Sequence, residues 1–177
     1  LGNNMNEYTE ALRLFFASLP MKTLMTDTWW AWPTAESIHF IGLSLLVGTV
    51  GMFDLRLLGV AKQIPPAALH RLIKYGVAGF IGNVLTGICF LSGAPDQYIY
   101  NWSFRWKLVF LTVAGLNILV FYSSFFRRVR NLGEDEAIPL GARVVGAVSI
   151  CCWIGVITAG RLLTFYRPYF ADGKYIF

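Results

Sequence analysis

Apolar and polar positions along the chain fall in blocks. Four runs carry no charged residue: 37–53, 75–95, 108–126 and 144–160. Each approaches the ~20 residues that cross a ~30 Å hydrocarbon core as a helix. Flanking apolar residues extend the shorter two. None shows the ~10-residue alternation of a membrane β-strand. The pattern predicts four α-helical spans. Glycines recur inside them, as at Gly76, Gly79, Gly82 and Gly87. In water they would weaken a helix, but in a membrane small residues let helix backbones approach closely.

The ends follow other patterns. Within residues 7–19, Leu12, Phe15, Phe16 and Leu19 recur at helical spacing, with Glu7, Glu10 and Arg13 elsewhere. This predicts an interfacial amphipathic helix ended by Pro20. Trp29, Trp30 and Trp32 come just before the first span, and Tyr98, Tyr100, Trp102 and Trp106 before the third. Such aromatic groups mark the bilayer interface. Tyr166, Tyr169, Phe170, Tyr175 and Phe177 make the end aromatic as well. No repeat or linker interrupts the chain. Residues 1–33 read as an interfacial helix with a Trp-rich lead-in, 34–165 as a four-helix transmembrane bundle, and 166–177 as an aromatic tail. The expected fold class is an all-α membrane protein.

Composition agrees with this pattern. Of 177 residues, 56% are hydrophobic and 14% charged, against roughly 45–50% and about 25% in globular chains. That excludes a disordered chain, a coiled coil and a nucleic-acid module. The net charge of +5 speaks first to orientation. Arg56, Lys62, Arg71 and Lys74 follow the first span, and Arg127, Arg128, Arg130 and Arg143 lie between the third and fourth. The middle connection holds only Arg105 and Lys107. The basic loops are expected in the cytoplasm and both termini in the periplasm, in a bacterial inner membrane. Residues 1–10 lack the basic and apolar regions of a cleavable signal. The chain opens on Leu1, so its start is expected upstream or at Met5. Cys89, Cys151 and Cys152 lie in apolar runs without CxxC spacing and read as small buried hydrophobes.

A charge inside a span is expensive and marks a candidate site. At 1.5 Å per residue, His39 is expected roughly 10 Å outside the midplane and Arg161 roughly 13 Å. Lys107 starts the third span at about that level. Glu36 shares a helix face with His39, and Thr86 falls in the outer half of the second span. Glu36, His39, Thr86, Lys107 and Arg161 thus form the candidate outer cluster. One reading is structural, a Glu36–Arg161 or Glu36–Lys107 ion pair. The other is a ligand site in which His39 ligates a metal or haem iron, or hydrogen-bonds a quinone, while Arg161 and Lys107 hold polar groups. His70 is expected on the opposite side, on the order of 30 Å from His39, which excludes a haem shared by the two. On the inner side, Asp54 is expected to pair with Arg143 or Arg71. Nothing matches HExxH, a P-loop or GxSxG.

The stretch ESIHFIGLSLLVGTVGMFDLRLLG (residues 36–59) resembles a bacterial four-helix membrane family known only as a domain of unknown function. The resemblance continues through His70, GFIGNVLTG (79–87) and RWKLVFLTVAGLN (105–117), and ends at WIGVITAGRL (153–162). More distantly the layout is similar to copper-resistance D-type proteins and small b-type cytochrome bundles, which present several His or Met ligands. The resemblance implies the four-helix fold and no established activity. Three functions are expected to compete. The first is a non-catalytic membrane subunit that docks, in the lipid bilayer, into a larger membrane or periplasm-facing protein assembly. The second is a redox protein with haem b or quinone at His39. The third is a small metal-ion transporter. No nucleic-acid partner is expected.

Overall fold

The computed structural model describes residues 2–133 and 136–166. Glu134, Asp135 and the aromatic tail beyond Tyr166 lie outside the described residues. Every regular element among those described is helical. Two short helices open the chain, α1 (Gly2–Ala17) and α2 (Met21–Asp27). Then come α3 (Ala31–Leu57), the single turn α4 (Pro66–His70), α5 (Ile73–Gly93) and α6 (Pro95–Ile99). Next is α7 (Trp102–Val120), which runs through a π-helical turn (Phe121–Phe125) into α8 (Phe126–Arg130), and last α9 (Leu140–Leu162). Four helical stretches are long and apolar enough to cross a membrane: Ala31–Leu57, Pro66–Gly93, Trp102–Arg130 and Leu140–Leu162. The chain is an all-α, four-transmembrane-helix bundle with an amphipathic N-terminal helix.

These helices outrun the charge-free runs at one or both ends. A charge-free run measures the hydrocarbon thickness, whereas the helix continues into the headgroup zone, where Trp32 and Arg56 are still helical. Past Arg56, α3 stops at a left-handed Gly59 (φ +95°). The Val60 amide bonds the Leu55 carbonyl at 3.0 Å and the Gly59 amide that of Arg56 at 3.0 Å, the geometry that glycine permits at a helix end. The buried Arg56 side chain then donates to Ile64 O (2.6 Å) and Lys62 O (3.2 Å) and ties the following loop down.

Chain order and spatial order differ. α5 packs on α3, α3 on α9 and α9 on α7, while α5 and α7 lack a comparable contact. The bundle is therefore an open row, α5–α3–α9–α7. Its seams repeat every three and four residues. On α3 the buried positions include Ala35, Gly42, Leu46, Thr49 and Phe53, and on α5 Gly76, Gly79, Thr86 and Phe90. On α9 they include Ala142, Val145, Ser149, Cys152, Val156 and Ala159. This 3.5-residue period is that of left-handed helix packing.

The tightest point is between α3 and α5. A Cβ on Gly42 would stand 2.6 Å from the Asn83 carboxamide and 2.7 Å from Gly79 O, and one on Gly79 would collide with Gly42 O. Hydrogen bonding orients the Asn83 carboxamide with nitrogen toward His39 O (2.7 Å) and oxygen toward Leu43 N (3.1 Å). On the other side of the row, Asn117 Nδ2 donates to Val145 O (3.0 Å), joining α7 to α9. Asn101 caps α7 by accepting from Ser103 N (2.9 Å) and donates to Leu163 O (3.0 Å) at the end of α9.

α1, α2 and α6 cover one end of the bundle, the cap end. The two basic loops share the other, the loop end. At the cap end Arg13 Nε donates to both Glu10 carboxylate oxygens (2.9 and 3.0 Å) and its Nη1 lies 3.6 Å from Asp96 Oδ1. The Tyr100 hydroxyl donates to Glu10 Oε2 at 2.9 Å. The amphipathic helix thus docks on α6 through a carboxylate at the centre of the contact.

Two outcomes are expected. Leu at Gly42 should cost about 1–3 kcal/mol through overpacking, read as a lower unfolding midpoint in detergent. Ala at Gly48, where a Cβ meets nothing within 4 Å, should leave the midpoint unchanged. The second concerns pH. Arg13, and after it Tyr100, hold the Glu10 carboxyl below its usual range. A depressed carboxylate stabilises docking above that range and loses its contribution as pH falls through the folded value. Amide exchange in α1 should therefore speed up on acidification, and Arg13→Ala should remove most of that dependence. Exchange that ignores pH would show that Glu10 does not hold the helix.

Candidate functional site

Of the five residues the sequence grouped, the structure joins two by a hydrogen bond and brings a third near them. His39, on the α3 seam, meets Thr86, on the α5 seam, at 2.8 Å from Nδ1 to Oγ1. The Thr86 hydroxyl has one proton and donates it to Gly82 O at 2.8 Å. With its proton on Gly82 O the hydroxyl accepts from His39, which assigns the neutral ring's proton to Nδ1 and leaves a lone pair on Nε2. The ring stands edge-on to Phe90, with centroids 5.6 Å apart. Lys107, half-buried on α7, lies close enough for its charge to act on the ring. Its Nζ is 3.9 Å from where a Cβ would stand on Gly160. Among the described residues no hydrogen bond or ion pair engages it.

Glu36 and Arg161 stand apart. Both are exposed. Glu36 accepts from Trp32 Nε1 at 3.1 Å, one turn earlier on its own helix. Arg161 lies over the Phe165 ring, 5.4 Å from its centroid. The expected Glu36–Arg161 and Glu36–Lys107 ion pairs are not among those of the described residues, which join Arg13 to Glu10 and Asp96. The reason is rotational. Ala159, two residues before Arg161, is on the α9 seam, and two residues turn a helix by more than half a circle.

None of the five lines the principal cavity, which lies nearer the loop end. It measures about 250 Å³ and takes walls from α3, α5, α7 and α9. Leu46, Val50, Phe80, Leu111 and Trp153 make most of it apolar, and it opens where α5 and α7 stand apart. Polar groups gather toward the loop end: Asp54, Ser149, Asn117 and Tyr122. There Phe121 and Tyr122 begin the π-helical turn, a widened turn frequent at functional sites.

Asp54 corrects a sequence expectation. It does not pair with Arg143 or Arg71, both of which are exposed. Its side chain is buried at 4% exposure, with the Ser149 hydroxyl within hydrogen-bonding reach, and its Oδ2 has no partner among the described residues. Depth alone suggested a headgroup-level ion pair. Helix face decides otherwise, because Asp54 faces α9, where its carbonyl stands 3.1 Å from where a Cβ would stand on Gly146. The signal that could have revealed it is the 3.5-residue recurrence of small and polar residues on α9, Ala142, Val145, Ser149, Cys152.

Among the described residues no three His, Cys, Asp or Glu side chains group to hold a metal ion. Cys89, Cys151 and Cys152 are free thiols, and Cys151 is exposed. The chemistry available is hydrogen bonding at His39 and polar recognition inside an apolar slot at Asp54.

Val in place of Thr86 should remove the acceptor for His39 Nδ1–H. An interhelical hydrogen bond in a membrane is worth roughly 1 kcal/mol, so a small fall in the unfolding midpoint is expected. Nitrogen-15 spectra of labelled histidine should show the Nδ1–H tautomer in the wild type and its loss in Thr86→Val. An Nε2–H tautomer in the wild type would overturn the assignment.

Comparison with curated proteins and with solved structures gives no match. A family model described as a family of unknown function, DUF6644, matches residues 26–166. That span takes in α3 to α9 with both candidate sites and leaves out α1. The chain belongs to the family of unknown function DUF6644.

Proposed function

We propose that this protein is a small non-catalytic membrane subunit that holds a lipophilic molecule between its spans. The observation that carries the reading is the cavity of about 250 Å³ walled by all four spans and open between α5 and α7. Ligand sites of helix bundles form between facing helices, mostly apolar with a few polar groups. An opening on the bundle's flank admits a molecule from the hydrocarbon phase, where a lipophile is concentrated. A redox role through His39 has less support, because that ring contacts Thr86 and Phe90 and does not line the cavity.

Docking into a larger membrane or periplasm-facing assembly is a second reading. α7 supports it, since the Trp102–Arg130 stretch has the least buried surface of the four. The proposed location is a bacterial inner membrane, with the cap end periplasmic and the basic loop end cytoplasmic. Cysteines at Trp102 and Gln63, both exposed, should then label from opposite faces of intact spheroplasts. Labelling at Gln63 alone from outside would reverse the orientation, and equal labelling at both would sink it.

The cavity reading is tested in lipid nanodiscs with an apolar diazirine. Photolysis should place adducts on Leu46 and Trp153, which line the cavity and are only 5% and 6% exposed. Ala114→Trp should fill the cavity and abolish them. Adducts confined to outward residues such as Leu119 and Ile154 would mean that nothing enters.

A further inference from the structure

The cavity is polar at one end only. α3 is 27 residues long. Asp54 is ten residues past its midpoint, Ser44, or roughly 15 Å along the axis. That is half the ~30 Å hydrocarbon thickness, so the carboxyl stands at the edge of the headgroups. Leu46 and Val50 run from it toward the membrane centre. A molecule in this slot would keep its body in the core and its head at the interface.

The carboxyl at the head end is only partly matched. Among the described residues Asp54 Oδ2 is buried without a partner, as is Arg56 Nη1. Arg56, the nearest cation in sequence, is turned to the loop carbonyls of Ile64 and Lys62 and forms no ion pair with Asp54. A carboxylate left so in an apolar setting is costly, so the group either takes up a proton or pairs with a cation that reaches it. At the Asp54 end of the cavity stand aromatic rings, Phe53, Phe121 and Tyr122, and the face of such a ring attracts a desolvated ammonium. Ser149 supplies one hydrogen-bonding hydroxyl and Asn117 one amide, the latter already engaged by Val145 O.

From these features we infer that the cavity selects lipophilic organic cations, amines or quaternary ammonium compounds whose head pairs with Asp54. This rests on the cavity reading above and adds the ligand's charge. A neutral lipophile would leave Asp54 without a partner. An anionic one would meet a like charge.

The experiment uses the diazirine labelling of Leu46 and Trp153 with two competitors of one shape. Benzyltrimethylammonium carries a positive nitrogen where neopentylbenzene has a carbon. The cation should protect at a concentration lower by roughly tenfold or more, the range a desolvated cation–aromatic contact supports. Asp54→Asn should bring the two competitors to equal potency, and Asp54→Glu should restore part of the preference. Equal protection in the wild type overturns the inference and leaves the cavity reading standing. If neither competitor protects, the inference falls, and the cavity reading is left to the Ala114→Trp test. A preference that survives in Asp54→Asn overturns the role of Asp54.

Discussion

The bundle depends on one close approach, the backbone contact of α3 and α5 at Gly42 and Gly79. In lipid, helices gain nothing from hiding apolar surface, since tails are as apolar as leucine. What remains is dispersion at short range and hydrogen bonds between helices. Glycine on both helices brings backbone to backbone, and Asn83 uses the space above Gly42 to address His39 O and Leu43 N. Thr86 and His39 close the next turn. Neither polar contact would form if the helices stood a side chain further apart. The α7–α9 pair follows the same rule with Asn117 on Val145 O and Phe110 against Gly155.

Two tight pairs do not make a closed ring. They are joined by α3 against α9, where Gly146 would set a Cβ 2.9 Å from Leu57 Cβ. α5 and α7 lie at the two ends of the row, each with one strong transmembrane neighbour. The space between them is the cavity. The opening is thus a consequence of which faces carry glycine. Both seams of α3 are occupied, one by α5 and one by α9, so nothing remains to draw α5 toward α7.

The number and rough place of the spans were legible because charge is excluded from hydrocarbon, and the amphipathic α1 because one face is charged. Facing was not legible from hydrophobicity. Lipid-facing Ile38, Phe40, Ile41 and Leu45 are more apolar than the seam residues Ala35, His39, Gly42 and Thr49. A reading that looks for an apolar core face therefore finds none. Depth was legible, which is why His39 and Thr86, joined by a hydrogen bond, fell into one group. Rotation was not, which is why Glu36 and Arg161 joined a cluster they do not enter. Asp54 was read by depth as a headgroup ion-pair member, whereas its face turns it inward.

The two polar sites sit at opposite ends for different physical reasons. At the cap end, α1, α2 and α6 press on the bundle, and Met25, Phe90 and Ala35 form a small core with Trp32. Small seam residues bring the helices so close there that His39 is consumed by packing, its Nδ1 given to Thr86. At the loop end the seam residues are large, with Phe53, Leu57 and Phe121 in one core, and the π-helical turn widens α7 at Phe121. Larger side chains on splayed helices cannot fill the space evenly, and a void remains beside Asp54. A buried carboxyl persists in an apolar bundle only where the fold offers it a partner. Ser149 lies within hydrogen-bonding reach of it, and the void adjoins a carboxyl whose Oδ2 has no partner among the described residues.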